Sequence, residues 1–313
     1  MAKAKIISVE NITPLRDAFM EFNSAYTNLG ADYSVTDLIK PPRVTQLFRR
    51  HKAEIDAMPW DWYTSLKAFK GSAIHDRLET YLYRHMSKNP ESGYLIEKRL
   101  WDRILDRKIS GKFDVYRQGI LYDWKTCSAW KRMFESYEDW IEQLNMYAYL
   151  LSTVNVEVKA ICIVAWYMDW DKFKVFDKGY PKSEVEGIHL TELWTPKVQK
   201  DHLYARIQAH KDAETVAEDQ LPECSAKDRW DKAEAYAVTH PDSKKALRVL
   251  PTEAKCKAWI QTYSKRAKKT YKPDTMVIEH RPGKRMRCED FCKANVFCNQ
   301  WQAFKASQKK AGA

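Results

Sequence analysis

The stretch that decides the fold is KFDVYRQGILYDWKTC, residues 112 to 127. Apolar and polar residues alternate on both sides of Gln118-Gly119, and a glycine at this place is typical of a tight turn. The stretch therefore predicts two antiparallel strands. Because side chains alternate between the faces of a strand, Asp123 and Lys125 point the same way. Asp114, on the partner strand, is expected to lie beside Asp123.

Two acids and a lysine grouped in this way can carry out hydrolysis. Two carboxylates that are held close together repel unless a cation lies between them, and hard oxygen ligands suit Mg²⁺ or Mn²⁺. A lysine beside such a metal can orient a water and offset the charge that develops on a phosphate. The same three residues could also be the polar rim of an ordinary surface hairpin. The flanking sequence has to decide between these interpretations.

The order of predicted elements, a helix, three strands, a helix and a strand, indicates a mixed α/β sheet. Hydrophobic periodicity predicts helices at 14–28, 34–56 (with Pro41-Pro42 starting or interrupting the second piece), 60–84, 136–152 and 195–218. Strands are predicted at 94–104, 108–116, 120–126 and 156–167.

Four flanking features add to the hairpin. Gly71 and His75 are four residues apart on a predicted helix, where the glycine permits close backbone approach. Glu97 lies in the strand before the hairpin. Gln143 and Tyr147 are also four apart, and therefore share one face of the next helix. Each feature alone is weak, but the ordered series is difficult to obtain by chance.

This series resembles the PD-(D/E)XK nuclease superfamily, and within it the RecB-like branch. The matching elements are Gly71/His75, Glu97, Gly111/Asp114, Asp123/Lys125 and Gln143/Tyr147, which together span roughly residues 34–170. The resemblance implies a restriction-endonuclease-like core, with a mixed sheet flanked by helices.

The resemblance also implies roles for the residues. His75, Asp114, Asp123 and the Trp124 carbonyl would hold Mg²⁺ or Mn²⁺, and Lys125 would position the attacking water. Glu97 would hold a second metal or organise the site. Gln143 and Tyr147 would contact the DNA phosphate or support the lysine.

The charge of the chain is concentrated at one end. The net charge is +11, and residues 251–313 contain 15 Lys and Arg against 5 Asp and Glu. Such a region favours a polyanionic partner, most often nucleic acid, although a solvated tail would have the same composition. The expected DNA-binding side chains are cationic and closely spaced: Lys265, Arg266, Lys268 and Lys269.

Three late cysteines suggest a second metal site. Cys288, Cys292 and Cys298 form a C-x3-C-x5-C array. The array is similar to the late triplet of RecB-like nucleases of the AddB and CRISPR-associated types, in which an early cysteine completes a [4Fe-4S] cluster. Here Pro41 stands at the early position, and Cys224 is the best substitute. The four thiols could hold [4Fe-4S] or Zn²⁺, with the irregular spacing leaning toward iron–sulfur. Cys127, Cys162 and Cys256 are expected to be buried thiols.

We expect a helical extension at 1–33, a nuclease core at 34–220 and a basic, cysteine-rich module at 221–313 that packs on the core. No apolar run is long enough for a membrane helix, and the N-terminus lacks an apolar signal core, so a cytoplasmic location is expected. The cysteines are accordingly taken as thiols or metal ligands rather than disulfides.

The leading hypothesis is a Mg²⁺-dependent exonuclease that acts on linear duplex or single-stranded DNA ends in phage or bacterial recombination, replication or repair. The alternatives are a non-catalytic DNA-binding protein with this fold and a restriction-type endonuclease. No Walker-type glycine loop is present, so a helicase, or a single-strand annealing protein, would be a separate partner.

Overall fold

The computed structural model describes residues 30–58, 62–265 and 270–311, and isolated positions between residues 12 and 22. The helix predicted at 14–28, and most of the extension predicted at 1–33, lie outside this part of the chain. The rest of the chain divides into two compact units. The first unit contains the chain up to Lys40 and Met58–Glu214, and the second contains Pro41–Ala57 and Thr215–Ala313.

Thirteen strands and eleven α-helices lie in the described ranges. The strands are β1 (Tyr33–Ser34), β2 (Tyr94–Ile96), β3 (Arg99–Ile104), β4 (Arg107–Lys112), β5 (Val115–Arg117), β6 (Ile120–Cys127), β7 (Ala160–Tyr167), β8 (Val185–Leu190), β9 (Asp231–Lys232), β10 (Ala235–Thr239), β11 (Arg248–Leu250), β12 (Val277–Arg281) and β13 (Lys284–Arg285). The helices are α1 (Val35–Ile39), α2 (Pro42–Arg50), α3 (Lys52–Asp56), α4 (Trp62–Lys88), α5 (Ala129–Met133), α6 (Glu138–Ser152), α7 (Pro196–Thr215), α8 (Ala226–Arg229), α9 (Glu253–Ser264), α10 (Met286–Asp290) and α11 (Asn299–Ala311).

The first unit is a mixed α/β structure built on two sheets. A five-stranded sheet has the order β2-β5-β6-β7-β8, and a three-stranded sheet has the order β1-β4-β3. The pairs β6–β7 and β1–β4 are parallel, and the other pairs in these sheets are antiparallel. Its core combines apolar side chains of the central strands and of two helices, among them Leu121, Leu144, Leu150, Ile161, Ile163, Leu203 and Ile207.

The predicted hairpin is present at the centre of the larger sheet. Arg117 pairs with Ile120, so Gln118 and Gly119 form a two-residue loop. Both loop residues have positive φ, +48° and +87°, as the turns that fit the twist of a hairpin require. The alternation in KFDVYRQGILYDWKTC therefore predicted the central β5–β6 pair correctly.

Two predicted strands are each divided into two. The segment 94–104 breaks after Ile96, and the segment 108–116 breaks after Lys112, so that β3 and β4 belong to one sheet and β2 and β5 to the other. The side chains next to the two breaks are functional candidates, Glu97 and Asp114. Alternation continues through the second break, and the first is marked only by the charged run Glu97 to Arg99, which also fits an exposed stretch of a single strand.

The second unit contains α2 and α3 from the early part of the chain, although the sequence placed residues 41–57 in the core. The difference has a physical cause in Arg43, which is buried and donates hydrogen bonds to the carbonyls of Leu221 and Pro222 and to the side chain of Asn299. The unit also holds a three-stranded sheet, β11-β10-β12, and the pair β13–β9. Its limit at Thr215 lies near the predicted boundary at residue 220.

Within the described ranges, none of the helices combines the length and the apolarity that crossing a membrane demands.

Candidate active site and metal centre

Three candidate ligands meet where the strands of the first unit break. Glu97 follows β2, and its N–H donates to the Asp114 carbonyl at 2.7 Å, which places the two acids opposite one another. Glu97 has φ +49°, a left-handed conformation that is uncommon for a residue other than glycine. Such backbone strain is often found at functional sites.

His75 completes this group. The ligand atoms of His75, Glu97 and Asp114 all lie within 4.8 Å of one another, and His75 Nδ1 is 3.6 Å from Asp114 Oδ1. Helix α4 can bring His75 this close because Gly71, one turn earlier, lies against β6. A Cβ atom at Gly71 would be 3.0 Å from Thr126 Oγ1, closer than almost all real contacts. The predicted use of Gly71 for close approach is therefore confirmed.

Asp123 lies on β6, next to this group but outside the set of three. Its side chain is buried, and its Oδ2 forms an ion pair with Lys125 Nζ at 2.5 Å. Burial raises the pKa of Asp123 to about 6; Lys125 partly opposes this rise, whereas the negative charge of Asp114 adds to it.

Asp114 is held in place by the backbone of the neighbouring strand. Its Oδ2 accepts a hydrogen bond from the Trp124 N–H at 2.6 Å, and its Oδ1 faces His75. Trp124 therefore contacts the site through its N–H. The resemblance assigned the Trp124 carbonyl to a metal, and that role stays a prediction.

A chain of polar contacts leads from Lys125 into helix α6. Lys125 Nζ donates to Gln143 Oε1 at 2.8 Å, and Gln143 Nε2 donates to the Tyr147 hydroxyl at 3.1 Å. Gln143 and Tyr147 are both buried, so the lysine is fixed by a partner that has little freedom to move. Burial, with a further contribution from Asp123, raises the pKa of Tyr147, which keeps its hydroxyl protonated.

The position of α6 depends on Gly111 in β4. A Cβ atom there would lie 2.6 Å from Leu150 Cδ1 and 2.9 Å from the Tyr147 ring. Only a residue without a side chain allows β4 and α6 to approach this closely. Gly111 thus fixes the position of Tyr147.

The site also contains Lys112, which the sequence analysis did not identify. Lys112 forms an ion pair with Glu97, whose side chain is 6% exposed. Burial raises the pKa of Glu97, and the ion pair opposes this rise. Burial alone would lower the pKa of His75, but Asp114 and the other carboxylates outweigh it, and the pKa lies above its usual value. Lys112 is the first residue of the quoted hairpin, but the alternation of apolar and polar residues gave no reason to select it.

The ligand atoms of this site fit a hard divalent cation. Carboxylate oxygens from Glu97 and Asp114 and the imidazole of His75 converge on one space. Asp123 adds a further buried carboxylate beside them, which is paired with Lys125. Oxygen-rich sets of this kind suit Mg²⁺ or Mn²⁺.

The second unit gathers the other predicted ligands around a small cavity. Cys224, Cys288, Cys292 and Cys298 all line it, together with the buried Arg43. Arg43 Nη1 lies 4.0 Å from Cys298 Sγ. Sequence analysis did not identify Arg43, since a single arginine after two prolines carries no recognisable signal.

Side-chain amides hold the segments that bear these cysteines. Gln300 accepts from the Cys224 N–H at 3.0 Å and donates to the Cys224 carbonyl at 2.9 Å. Asn295 donates to the Cys288 carbonyl at 2.7 Å. Burial raises the pKa of the Cys224 thiol to about 12 and that of Cys288 to about 11. In the absence of a metal, these two thiols are therefore expected to be protonated.

The remaining predicted residues have different surroundings. Lys265 is exposed at the end of α9, whereas Arg266, Lys268 and Lys269 lie outside the described residues. Cys162 and Cys256 are buried and Cys127 is half-buried, in agreement with their interpretation as core thiols.

Comparisons with known proteins give little guidance. No family profile and no curated protein sequence matches the chain. Matching solved structures include SSO0001, at 17% identity and a TM-score of 0.39, covering 63% of this chain and 85% of that one. Another is a "Putative exonuclease" from Eubacterium rectale, at 15% identity and a TM-score of 0.36, covering 68% of this chain and 89% of that one. Function therefore has to be argued from the side chains.

Proposed function

We propose that this protein is a DNA nuclease that depends on a divalent metal and removes nucleotides from DNA ends. The observation that carries the proposal is the meeting of two groups around β6. One is the ligand set of His75, Glu97 and Asp114, and the other is Asp123 with the supported Lys125. Acids that hold a hard cation next to a fixed ammonium group are suited to phosphodiester hydrolysis.

Mg²⁺ or Mn²⁺, when bound, would polarise the phosphate and neutralise the charge that develops on it. His75, Glu97, Asp114 and Asp123 are the residues that would hold it. Lys125 would orient the attacking water and donate a hydrogen bond to the phosphate. Because Gln143 holds the ammonium group at 2.8 Å, little reorganisation is needed during the reaction.

The role of Asp123 follows from its ion pair. In the absence of a cation its charge is balanced by Lys125, 2.5 Å away. When the cation is bound, Asp123 would help hold it, and Lys125 would keep its place through Gln143 while facing the substrate. The pair would thus keep the lysine charged and in place before DNA arrives.

The test is degradation of end-labelled linear DNA and of closed circular DNA in the presence of Mg²⁺. We expect degradation of the linear form only, with about a 10²–10⁴-fold loss of rate in Lys125→Ala, because that variant loses the group that orients the water. Lys159→Ala is the matched control, since Lys159 is exposed before β7. Circular dichroism would establish that both variants are folded.

The other functions predict different results. Undiminished activity in Lys125→Ala would overturn the mechanism. Binding of DNA without any cleavage would indicate a non-catalytic binding protein. Discrete cuts in circular DNA would indicate a restriction-type endonuclease. Assignment to phage or bacterial recombination, replication or repair, together with a helicase or annealing protein as partner, is part of the same proposal and depends on activity at DNA ends.

We also propose that Cys224, Cys288, Cys292 and Cys298 hold a structural metal centre, with iron–sulfur favoured over zinc. The C-x3-C-x5-C spacing of the late cysteines lacks the C-x2-C pair that zinc sites favour, which is the reason to favour a cluster.

This centre is tested by the spectrum and metal content of protein purified without oxygen. We expect a broad absorbance near about 400 nm and bound iron with inorganic sulfide. A colourless protein with one zinc per chain would overturn the iron–sulfur assignment. A protein that contains neither metal would show that these cysteines do not form a metal centre.

A further inference from the structure

Two exposed segments of the first unit carry large aromatic side chains. Trp130 and Phe134 are 56% and 72% exposed, and Phe173 and Phe176 are 80% and 92% exposed. Aromatic side chains are normally largely buried, and several exposed together on a monomer mark a binding surface. We refer to these four residues as the aromatic rim.

The two segments leave the sheet at the same edge. Trp130 and Phe134 follow β6, and Phe173 and Phe176 follow β7, the parallel neighbour of β6. The ends of these strands are paired, Cys127 with Tyr167. Adjacent parallel strands that end together place their following loops side by side.

Hydrogen bonds tie the bases of the two segments together. The Met168 N–H donates to the Cys127 carbonyl at 2.9 Å. Asp169 accepts from the Ala129 N–H at 2.7 Å and from the Ser128 hydroxyl at 2.5 Å. The aromatic rim is therefore anchored at a fixed place on the edge of the sheet.

That place is next to the candidate active site. Lys125 lies on β6 two residues before Cys127, a distance of about 7 Å along a strand. A polymer whose phosphate lies at Lys125 would have its neighbouring residues at this edge.

The chemistry of the rim favours nucleobases over other occupants. Trp130 and Phe134 stack on each other, with ring centroids 5.7 Å apart and an angle of 21° between the planes. Cations alternate with the rings, and Lys172 Nζ lies 5.1 Å from the centre of the Phe173 ring. Lys131 and Lys174 extend this pattern, but they pair with Asp139 and Asp171, so a phosphate would compete with these two carboxylates. Aromatic planes with interleaved lysines are typical of surfaces that stack bases and bind phosphates of single strands.

We propose that the aromatic rim is a stacking platform for unpaired nucleobases of the DNA strand that enters the active site. This proposal rests on the proposed nuclease function and adds a substrate class, an end with unpaired nucleotides. Bases paired in a duplex present only their edges in the grooves, so a blunt duplex would not engage the rings in the same way.

The test is binding of fluorescent DNA, measured by anisotropy with EDTA so that cleavage does not interfere. The variant Trp130→Leu/Phe134→Leu keeps the apolar character and removes the rings. We expect its affinity for single-stranded DNA to fall about 10- to 100-fold, since stacking contributes about 1–3 kcal/mol for each base. Affinity for a blunt duplex should change less than about 2-fold, a far smaller effect than the loss of stacking.

The matched control is Trp130→Phe/Phe134→Tyr, which keeps a ring at each position and should bind single-stranded DNA like the natural chain. Equal affinity of the Leu variant and the natural chain for single-stranded DNA would overturn the platform, as would an equal loss for duplex. Wild-type self-association that disappears in both double variants would also overturn it, and would identify a second copy of the chain as the occupant.

Failure of the platform and failure of the nuclease are distinguishable. Cleavage of linear DNA with unchanged single-strand affinity in the Leu variant would leave the nuclease and remove the platform. Single-strand binding that depends on the rings, in a protein that does not cleave DNA, would leave a base-stacking surface and remove the nuclease.

Discussion

The two candidate metal sites of this protein are built in opposite ways. In the first unit, the ligands come from a helix, two strand breaks and a central strand, and they span residues 75 to 123. In the second unit, three of four cysteines lie within eleven residues of one another on short helical turns. A large sheet holds the first set in place, whereas local turns and two amides hold the second.

The difference explains what each site does without its metal. Asp123 in the first site already has a counter-charge in Lys125, and Glu97 has one in Lys112. The acids can therefore remain charged in a folded apo protein. Burial raises the pKa of Cys224, Cys288 and Cys292, so these thiols gain their charge only when a metal replaces their protons. The first site is thus expected to be preformed, and the second to gain stability from its metal.

The largest expected effect is the loss of catalysis in Asp114→Asn. This change removes one ligand charge while keeping the shape that accepts the Trp124 N–H. We expect nuclease activity to fall about 10³-fold or more, because charge stabilisation at the metal is lost. Rates on linear DNA with Mg²⁺ measure it, and the absorbance of the cysteine site should not change.

Asp201→Asn is the control for that prediction. Asp201 is an exposed acid on α7 that pairs with Lys197. Its loss should leave the rate within about 2-fold, as expected for a surface ion pair. A full rate in Asp114→Asn would show that this acid is not a ligand.

The next effect in size is expected for Cys224→Ser. If Cys224 is the fourth ligand, its loss should remove bound metal and lower the free energy of unfolding of the second unit by several kcal/mol, roughly as for other structural metal sites. Iron content, absorbance and thermal unfolding without oxygen measure this. Cys256→Ser is the control, since Cys256 is buried in the same unit away from the cavity residues and should keep the metal. Retention of all metal in Cys224→Ser would show that Cys224 is not a ligand.

A smaller effect is expected for Gly111→Ala. The added methyl group would lie 2.6 Å from Leu150 and 2.9 Å from Tyr147. Overpacking of this kind typically costs about 1–3 kcal/mol, and here it should also displace Tyr147 and lower activity. Chemical denaturation measures the loss of stability.

Gly187→Ala tests whether the effect at Gly111 is due to crowding. In Gly187→Ala the nearest atom to the new Cβ would be Cys162 Sγ at 3.9 Å, an ordinary contact. Stability there should be unchanged or slightly higher. Equal losses in the two variants would show that close approach is not the reason for glycine at Gly111.

The smallest expected effect is a gain of stability in Asp123→Asn without divalent metal. Burial raises the pKa of Asp123 from 3.8 to about 6, so the folded state holds its proton more tightly than the unfolded state. The carboxyl therefore contributes stability below pH 4, and that contribution is lost as the pH rises to about 6. Removing the charge should raise the Tm at pH 7 by about 2–4 °C.

The change in Tm caused by Asp123→Asn should depend on pH. At pH 4 the natural side chain is largely neutral, so the two proteins should have nearly the same Tm. At pH 7 the variant should be more stable and inactive. A lower Tm at pH 7 would show that the ion pair with Lys125 contributes more than the burial of the charge costs.

The sequence by itself determined the centre of the fold and the composition of its site. Alternation on either side of Gln118-Gly119 defined β5 and β6, because a side-chain period of two belongs to strands alone. Helical spacing placed Gly71 with His75 and Gln143 with Tyr147. The mixed α/β class followed from the order of these elements.

Only the tertiary structure decided how the side chains meet. The breaks at Glu97 and Asp114, the ion pair of Lys112 with Glu97, and the place of Arg43 all depend on contacts between residues far apart in the chain. Such contacts leave no periodic trace in a single sequence, since periodicity records only which face of an element is buried. The quoted hairpin thus specified which chemical groups are present, and the packing of α4 and α6 against it decided which of them act together.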